Sequence, residues 1–403
     1  MAEAARASDP GGSWRAVGEV MRVFLKLGLT SFGGPIAHLG YFRSEFVARR
    51  GWLSESAFAD LVALAQFLPG PASSQVGFAI GLTRAGGLGG LAAWAGFTLP
   101  SAALMLAFAY GAAGIENLWW GAGLMHGLKL MAVAVIAQAV LGMARSFCVD
   151  PPRAAIAVVA LALVGFFPGS LAQLAAIVGG GFVGLATVRL AASAAPDELA
   201  ERLSHRTALI ALALFLALLA LSYVPVGTGL AALAAAFYRS GALVFGGGHV
   251  VLPLLRDALV APGFLPQSAF LAAYGAAQAL PGPLFAVSAG LGALAGSPPS
   301  GGVGAAVGLI AIFVPGLLAL IAALPFWRAL RRQARAQSAM AGINAAVVGL
   351  LAAALYDPAF VSAVNGPRDL AVAAAGFALL VAWRTPPLVV AAFAAAAGVA
   401  LAA

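Results

Sequence analysis

Apolar residues in this chain come in long blocks rather than in a stripe along one face. Blocks near the spanning length of about 20 residues lie at 23–38, 58–82, 88–112, 123–145, 152–168 and 170–190. A second set follows at 207–224, 229–255, 268–294, 302–327, 340–356, 369–383 and 386–403, each block bounded by charge, glycine or proline. Helices that are apolar all round belong in lipid or in a buried core, and a run of this many predicts an all-α, polytopic membrane protein. The stretch "AASAAPDELAERLSHR", from Ala191 to Arg206, is the long hydrophilic interruption between the two sets. The expected plan is a polar tail (1–16), a first membrane repeat (17–190), a cytoplasmic linker (191–206) and a second membrane repeat (207–403). Several blocks are short or broken, which leaves the number of full crossings open.

The breaks recur in matched places. "FLPGP" (Phe67 to Pro71) interrupts the block 58–82, and "ALPGP" (Ala279 to Pro283) interrupts 268–294. "FLKLGLTSFGGPIAH" from Phe24 aligns with "FYRSGALVFGGGHVV" from Phe237, pairing Gly33 with Gly246 and Gly34 with Gly247. One residue is then lost, and "WLSESAFADLVALAQFLPGP" aligns with "FLPQSAFLAAYGAAQALPGP", pairing Gln66 with Gln278. Pro100 answers Pro315, and "GLKLMAVAV" from Gly127 answers "GINAAVVGL" from Gly342. The chain is a tandem duplication. Between the first Phe-Gly-Gly segment and its copy lie seven blocks, or five if the first two return to the side they left. Both numbers are odd, so the halves are expected to be inverted relative to one another, a plan common among secondary transporters.

Composition sharpens this picture. Hydrophobic residues make up 62% of the chain and charged residues 9%, with a mean hydropathy of +0.99; a soluble domain has about 25% charged residues. The net charge of +8 is read as cytoplasmic loops obeying the positive-inside rule, not as a nucleic-acid surface. Arg328, Arg331, Arg332 and Arg335 set the cytoplasmic side, and Arg84, Arg145, Arg153, Arg189, Arg202, Arg206 and Arg384 fall there too. Glu116 beside "NLWW" falls outside, and the N-terminus falls inside. One conflict arises at "FRSEFVARRGW" (Phe42 to Trp52), whose arginines lie outside if both flanking blocks cross and inside if both are re-entrant. The first twenty residues contain no apolar segment of the signal-peptide type. Cys148 is the single cysteine, which excludes an internal disulfide or a thiolate metal cluster. The spans offer no paired aspartates, no HExxH and no Walker loop, so no enzyme, metal site or cofactor is expected.

The breaks are where chemistry is expected. Proline removes a backbone donor, and glycine lets the chain turn sharply. The half-helix that begins after Pro71 offers free N–H groups and a positive dipole end, which attract an anion. Ser73, Ser74 and Gln75 stand in its first turn, with Pro69, Gly70 and Gln66 before it. Ser31, Gly33 and Gly34 supply the companion break, and Gly246, Gly247, Gln278, Pro281, Gly282 and Pro283 supply the second copy.

The segments "SFGGPIAHLGYFRSEFV", "WLSESAFADLVALAQFLPGPASSQVGFAIG", "GFTLPSA", "FGGGHVVLPLL" and "QALPGP" closely resemble the chromate ion transporters, from about residue 17 to the end. The resemblance implies the long-chain, two-repeat type of that family. These are bacterial inner-membrane proteins that expel chromate and confer resistance to it, with sulfate as the related tetrahedral dianion. A passive channel, or a carrier of another small oxyanion such as sulfate, is the alternative. A dianion in low dielectric needs positive partners. Arg43, Arg84 and Arg256 adjoin the broken segments, Arg43 aligns with Arg256, and Lys129 lies inside a span with Asn344 as its repeat partner. His38 and His249 sit at nearly equivalent places and could carry a proton, as could Glu45 or Asp60; either acid could equally pair with Arg43, Arg49 or Arg50. The coupling ion and a homodimeric assembly stay open.

Overall fold

The structure, a computed structural model, describes residues 14–116, 118–167, 169–189, 203–225, 227–245, 248–296, 300–327, 329 and 333–402. These residues form helices and turns, with no strand among them. Among the described residues, four helical stretches are long and apolar enough to cross a bilayer: Ala72–Ala112, Gly121–Phe147, Gly301–Phe326 and Ala334–Ala363.

The first half opens with two hairpins. Helix α1 (Trp14–Thr30) stops at Ser31, and α2 (Gly34–Phe42), prolonged by a wider-wound turn (Arg43–Arg49), leads back. Helix α3 (Glu55–Phe67), capped by the Ser54 hydroxyl, stops before the Pro-Gly-Pro break, after which α4 (Ala72–Glu116) begins. Ala85 and Gly86 interrupt α4, and Gly86 takes a φ of 67°, a left-handed turn that glycine enters without a steric cost. The first segment of α4 thus doubles back on the second, with Gly81 tight against the Gly89 backbone. The free ends of both hairpins meet in one ion cluster. Glu19 of α1 pairs with Arg50 and with Arg84, each at 3.1 Å, while both guanidiniums lie over the Trp52 ring. Both broken blocks therefore leave and return at one end of the molecule, which gathers Arg43, Arg49, Arg50 and Arg84 there. The conflict over the Phe42 to Trp52 arginines is removed by the hairpins.

The second half repeats the pattern with α9 (Leu230–Ala242), α10 (Val251–Leu259), α11 (Gln267–Ala279) and α12 (Val287–Leu294). The Gly296 N–H donates to the Phe264 carbonyl at 2.7 Å, tying the end of α12 to the α10–α11 turn. Helix α13 (Gly301–Ala323) runs antiparallel to the second segment of α4. Trp94 meets Phe313 with ring centroids 5.7 Å apart, and Tyr110, farther along α4, abuts Gly301 at the start of α13.

The remaining helices wrap these hairpins: α5 (Gly121–Phe147), α6 (Pro151–Phe166) and α7 (Ser170–Thr187) from the first half, and α14 (Ala334–Ala354), α15 (Pro367–Val381) and α16 (Pro387–Ala402) from the second. Small residues make their contacts. Gly180 and Gly184 sit on the Gly342 backbone, and Gly123 and Gly127 sit on Gly398 and Ala394. In lipid, where apolar burial gives little drive between helices, such close backbone approach supplies the van der Waals attraction. Helix α8 (His205–Leu221) stands between the halves and has no counterpart in the duplication. Its Leu209, Leu212, Leu214 and Leu216 face outward, as suits a helix bathed in lipid chains.

Candidate functional site

The breaks of the two halves hold each other. The Gly70 N–H donates to the Val244 carbonyl at 2.7 Å, and the Gly282 N–H donates to the Ser31 carbonyl at 2.8 Å. The duplication pairs Gly70 with Gly282 and Ser31 with Val244, so one contact is made twice, in reciprocal sense. Each Pro-Gly-Pro break is bonded to the residue that precedes the other half's Phe-Gly-Gly segment. Only glycine fits: Gly70 has φ 118° and Gly282 φ 92°. A Cβ on Gly70 would stand 2.7 Å from the Gly316 Cα, and one on Gly282 would collide with the Ser101 hydroxyl.

Polar side chains gather at this crossing. Gln75 Nε2 donates to the Pro69 carbonyl at 2.9 Å and to the Gly316 carbonyl at 2.8 Å, fastening the first break to α13. Around it Ser73 is buried with its hydroxyl 3.5 Å from His38 Nδ1. The hydroxyls of Ser31, Ser74 and Thr98 are buried without a hydrogen-bond partner among the described residues. On the other side His249 Nδ1 lies 2.9 Å from the Tyr274 hydroxyl. Gln278 Nε2 is buried with a proton still to donate. A small cavity of about 50 Å³ is walled by Gly33 and Gly34 at the start of α2, by Gln138, His249 and Gln278, and by Gly282. Pro281 and Pro283 flank that last glycine, as Pro69 and Pro71 flank Gly70.

Other residues singled out in the sequence lie elsewhere. Arg43 pairs with Glu55 at 2.6 Å where both side chains are well exposed, and Arg84 pairs with Glu19. Glu45 accepts from Arg49 and Arg50. Arg256 lies 3.5 Å from Asp357. These arginines answer nearby carboxylates and do not line the breaks. Glu45 meets Arg49 and Arg50 one turn away, a pairing local sequence offers, whereas long-range folding supplies the partners of Arg84 and Arg256. Lys129 is half-buried on α5, and Asp60 is buried on α3. Gln66 lines a separate cavity between α3 and α14. Gly246 and Gly247 lie outside the described residues.

Three polar features escaped the sequence reading: Gln138, Tyr274, and the pair of His126 Nε2 with Asp369 Oδ1 at 2.9 Å. Gln138 is a carboxamide inside an apolar run, and Tyr274 precedes Gln278 by one helical turn on α11, a spacing that puts both on one face. Such isolated polar residues within a span are themselves a signal.

The small cavity is lined by carboxamides, an imidazole and backbone, with no arginine or lysine among the described residues that wall it. Carboxamides, an imidazole and the backbone of a helix start can hold an oxyanion through hydrogen bonds without a buried guanidinium that would bind it too tightly to release. No group of three or more His, Cys, Asp or Glu residues suited to a metal occurs among the described residues.

Comparison with known proteins points to the same chemistry. The model of the chromate transporter family matches residues 18–185 and 231–399, one match per half, and α8 lies between them. A chromate transport protein of Pseudomonas aeruginosa is 31% identical over 90% of this chain and 86% of its own length. A probable chromate transport protein of Synechococcus elongatus is 28% identical over 84% of this chain and 83% of its own. A chromate transport protein of Cupriavidus metallidurans is 25% identical over 93% and 90%. No solved structure matches the chain. With both halves matched end to end, the chain belongs to the chromate transporter family, and it is a membrane transport protein rather than an enzyme.

Proposed function

We propose that this protein is a secondary transporter that exports chromate across the bacterial inner membrane, lowers its cytoplasmic level and so confers resistance. The observation that carries this reading is the donor-lined cavity of Gly33, Gly34, Gln138, His249 and Gln278, held at the reciprocal crossing of the four breaks. Such a site reads charge and tetrahedral shape better than it reads the central atom, so sulfate competes with chromate. The two halves are inverted, which the antiparallel course of α4 and α13 supports, and the N-terminus faces the cytoplasm with the arginine-bearing end. His38 and His249, the imidazoles at the breaks, are the first candidates for proton coupling.

The test is chromate accumulation in intact, energised cells. Expression lowers retained chromate and raises tolerance, and excess sulfate blunts both effects. Normally inserted protein that leaves accumulation unchanged overturns the chromate reading and leaves another small anion. A passive channel is separated by energised vesicles: a transporter builds a chromate gradient that an uncoupler collapses, whereas a channel builds none.

A further inference from the structure

The two halves are packed differently at equivalent places. In the second half α11 lies directly on α5, so close that a Cβ on Gly275 would collide with the Leu128 carbonyl oxygen. Met125 and Leu128 share a buried cluster there with Ala272 and Ala276. The duplication pairs α11 with α3 and α5 with α14, so Gly275 corresponds to Ala63 and Met125 to Met340. In the first half these counterparts stand apart. A cavity of about 230 Å³ separates them, walled by Ala63 and Gln66 of α3, by Met340 and Asn344 of α14, and by Arg153. One helix pair is shut and its copy is open.

The two places face opposite ends of the molecule. Helix α3 starts at the end where Arg43 and Glu55 pair, and α5 returns to that end at Phe147, which also lines the cavity. Gly275 and Leu128 lie toward the other end, where Gly296 bonds Phe264. Gly275 is also one turn before Gln278 of the donor-lined cavity, on the side away from the break. Carriers built from inverted repeats expose a central site to each side in turn by rocking one part against another.

We propose that the cavity between α3 and α14 is the vestibule through which the oxyanion enters from the arginine-bearing end, and that Gly275 on Leu128 is the shut gate of the exit path. This rests on the anion-transport reading above. The alternate state has the reverse packing, with α3 closed on α14 and α11 parted from α5. The vestibule suits a dianion in transit. Gln66 and Asn344 offer carboxamide N–H donors, and Arg153 carries a charge that Asp150, at 2.7 Å, partly offsets.

The experiment uses the full chain with Cys148→Ser, in sealed vesicles of both orientations. Ser44→Cys, on the exposed turn beside Arg43, marks the arginine-bearing side for a membrane-impermeant maleimide. Met340→Cys is expected to react from that same side, and chromate at about ten times its Kd slows the reaction about tenfold. In the double variant Ala63→Cys with Met340→Cys, oxidation forms a disulfide through the alternate state, stops transport, and is reversed by reductant. Met340→Cys that stays unreactive from the Ser44 side, a disulfide that never forms, or a cross-linked protein that transports at the uncross-linked rate overturns the proposal. If chromate moves while Met340→Cys stays unlabelled, the vestibule is wrong and the substrate reading stands. If Met340→Cys labels from the expected side and sulfate, not chromate, slows it, the vestibule stands and the substrate reading falls.

Discussion

Gln75 of the first half donates its side-chain N–H to the carbonyl oxygen of Gly316 in the second, at 2.8 Å, in the buried middle of the molecule. The same nitrogen reaches back to Pro69 at 2.9 Å, so one carboxamide ties a carbonyl of the break to a carbonyl of α13. Gln75→Leu keeps the volume and removes both bonds. Each hydrogen bond lost is worth about 0.5–1.5 kcal/mol. Thermal unfolding of the detergent-solubilised variant is expected at a clearly lower temperature, and an unchanged midpoint would show that these bonds carry little.

Gly70→Ala and Gly282→Ala test the crossing itself. A left-handed backbone costs an alanine about 1–2 kcal/mol, and forcing a methyl into a filled space adds about 1–3 kcal/mol. Both variants are expected to lose transport before they lose membrane insertion, since the apolar helices are untouched. Membrane abundance and chromate accumulation, measured together, separate the two effects.

The arrangement of the hairpins predicts sidedness. Ser44→Cys and Ala261→Cys, each in a Cys148→Ser background, occupy exposed turns at the tips of the equivalent connections. An impermeant thiol reagent should reach them from opposite faces of the membrane. Labelling of both from one face removes the inverted arrangement.

The structure separates residues that the sequence alone groups together. Arg43→Ala and Arg84→Ala remove solvent-accessible ion pairs, which water and salt screen, and transport should persist. Gln278→Ala removes a buried donor from the small cavity. A hydrogen bond to a charged ligand is worth about 1.5–3 kcal/mol, so apparent chromate affinity should fall roughly 10- to 100-fold. Equal losses in all three variants would mean that Arg43 and Arg84 also contact the anion.

Much of the candidate site was legible because glycine and proline act locally. "FLPGP" and "ALPGP" mark broken helices wherever they occur in a span, and their duplication made the marks hard to misread. The arginines were harder. Arg84 finds Glu19 at the far end of another helix, and His126 finds Asp369 in the other half of the chain; such pairings follow from packing, which no single stretch records. The count of crossings was obscured for the same reason. A block such as 58–82 is long enough to span, and only the meeting of Glu19, Arg50 and Arg84 shows that it turns back.

The reciprocal bonds at the breaks also bear on how the chain is made. During synthesis the first hairpins enter the membrane long before Val244 leaves the ribosome, so the Gly70 N–H waits without its acceptor. Ser31 likewise waits for Gly282. Neither half can settle its own centre alone, and the last ordering of the crossing belongs to the final stage of biogenesis, when the second copy arrives and each half completes the other.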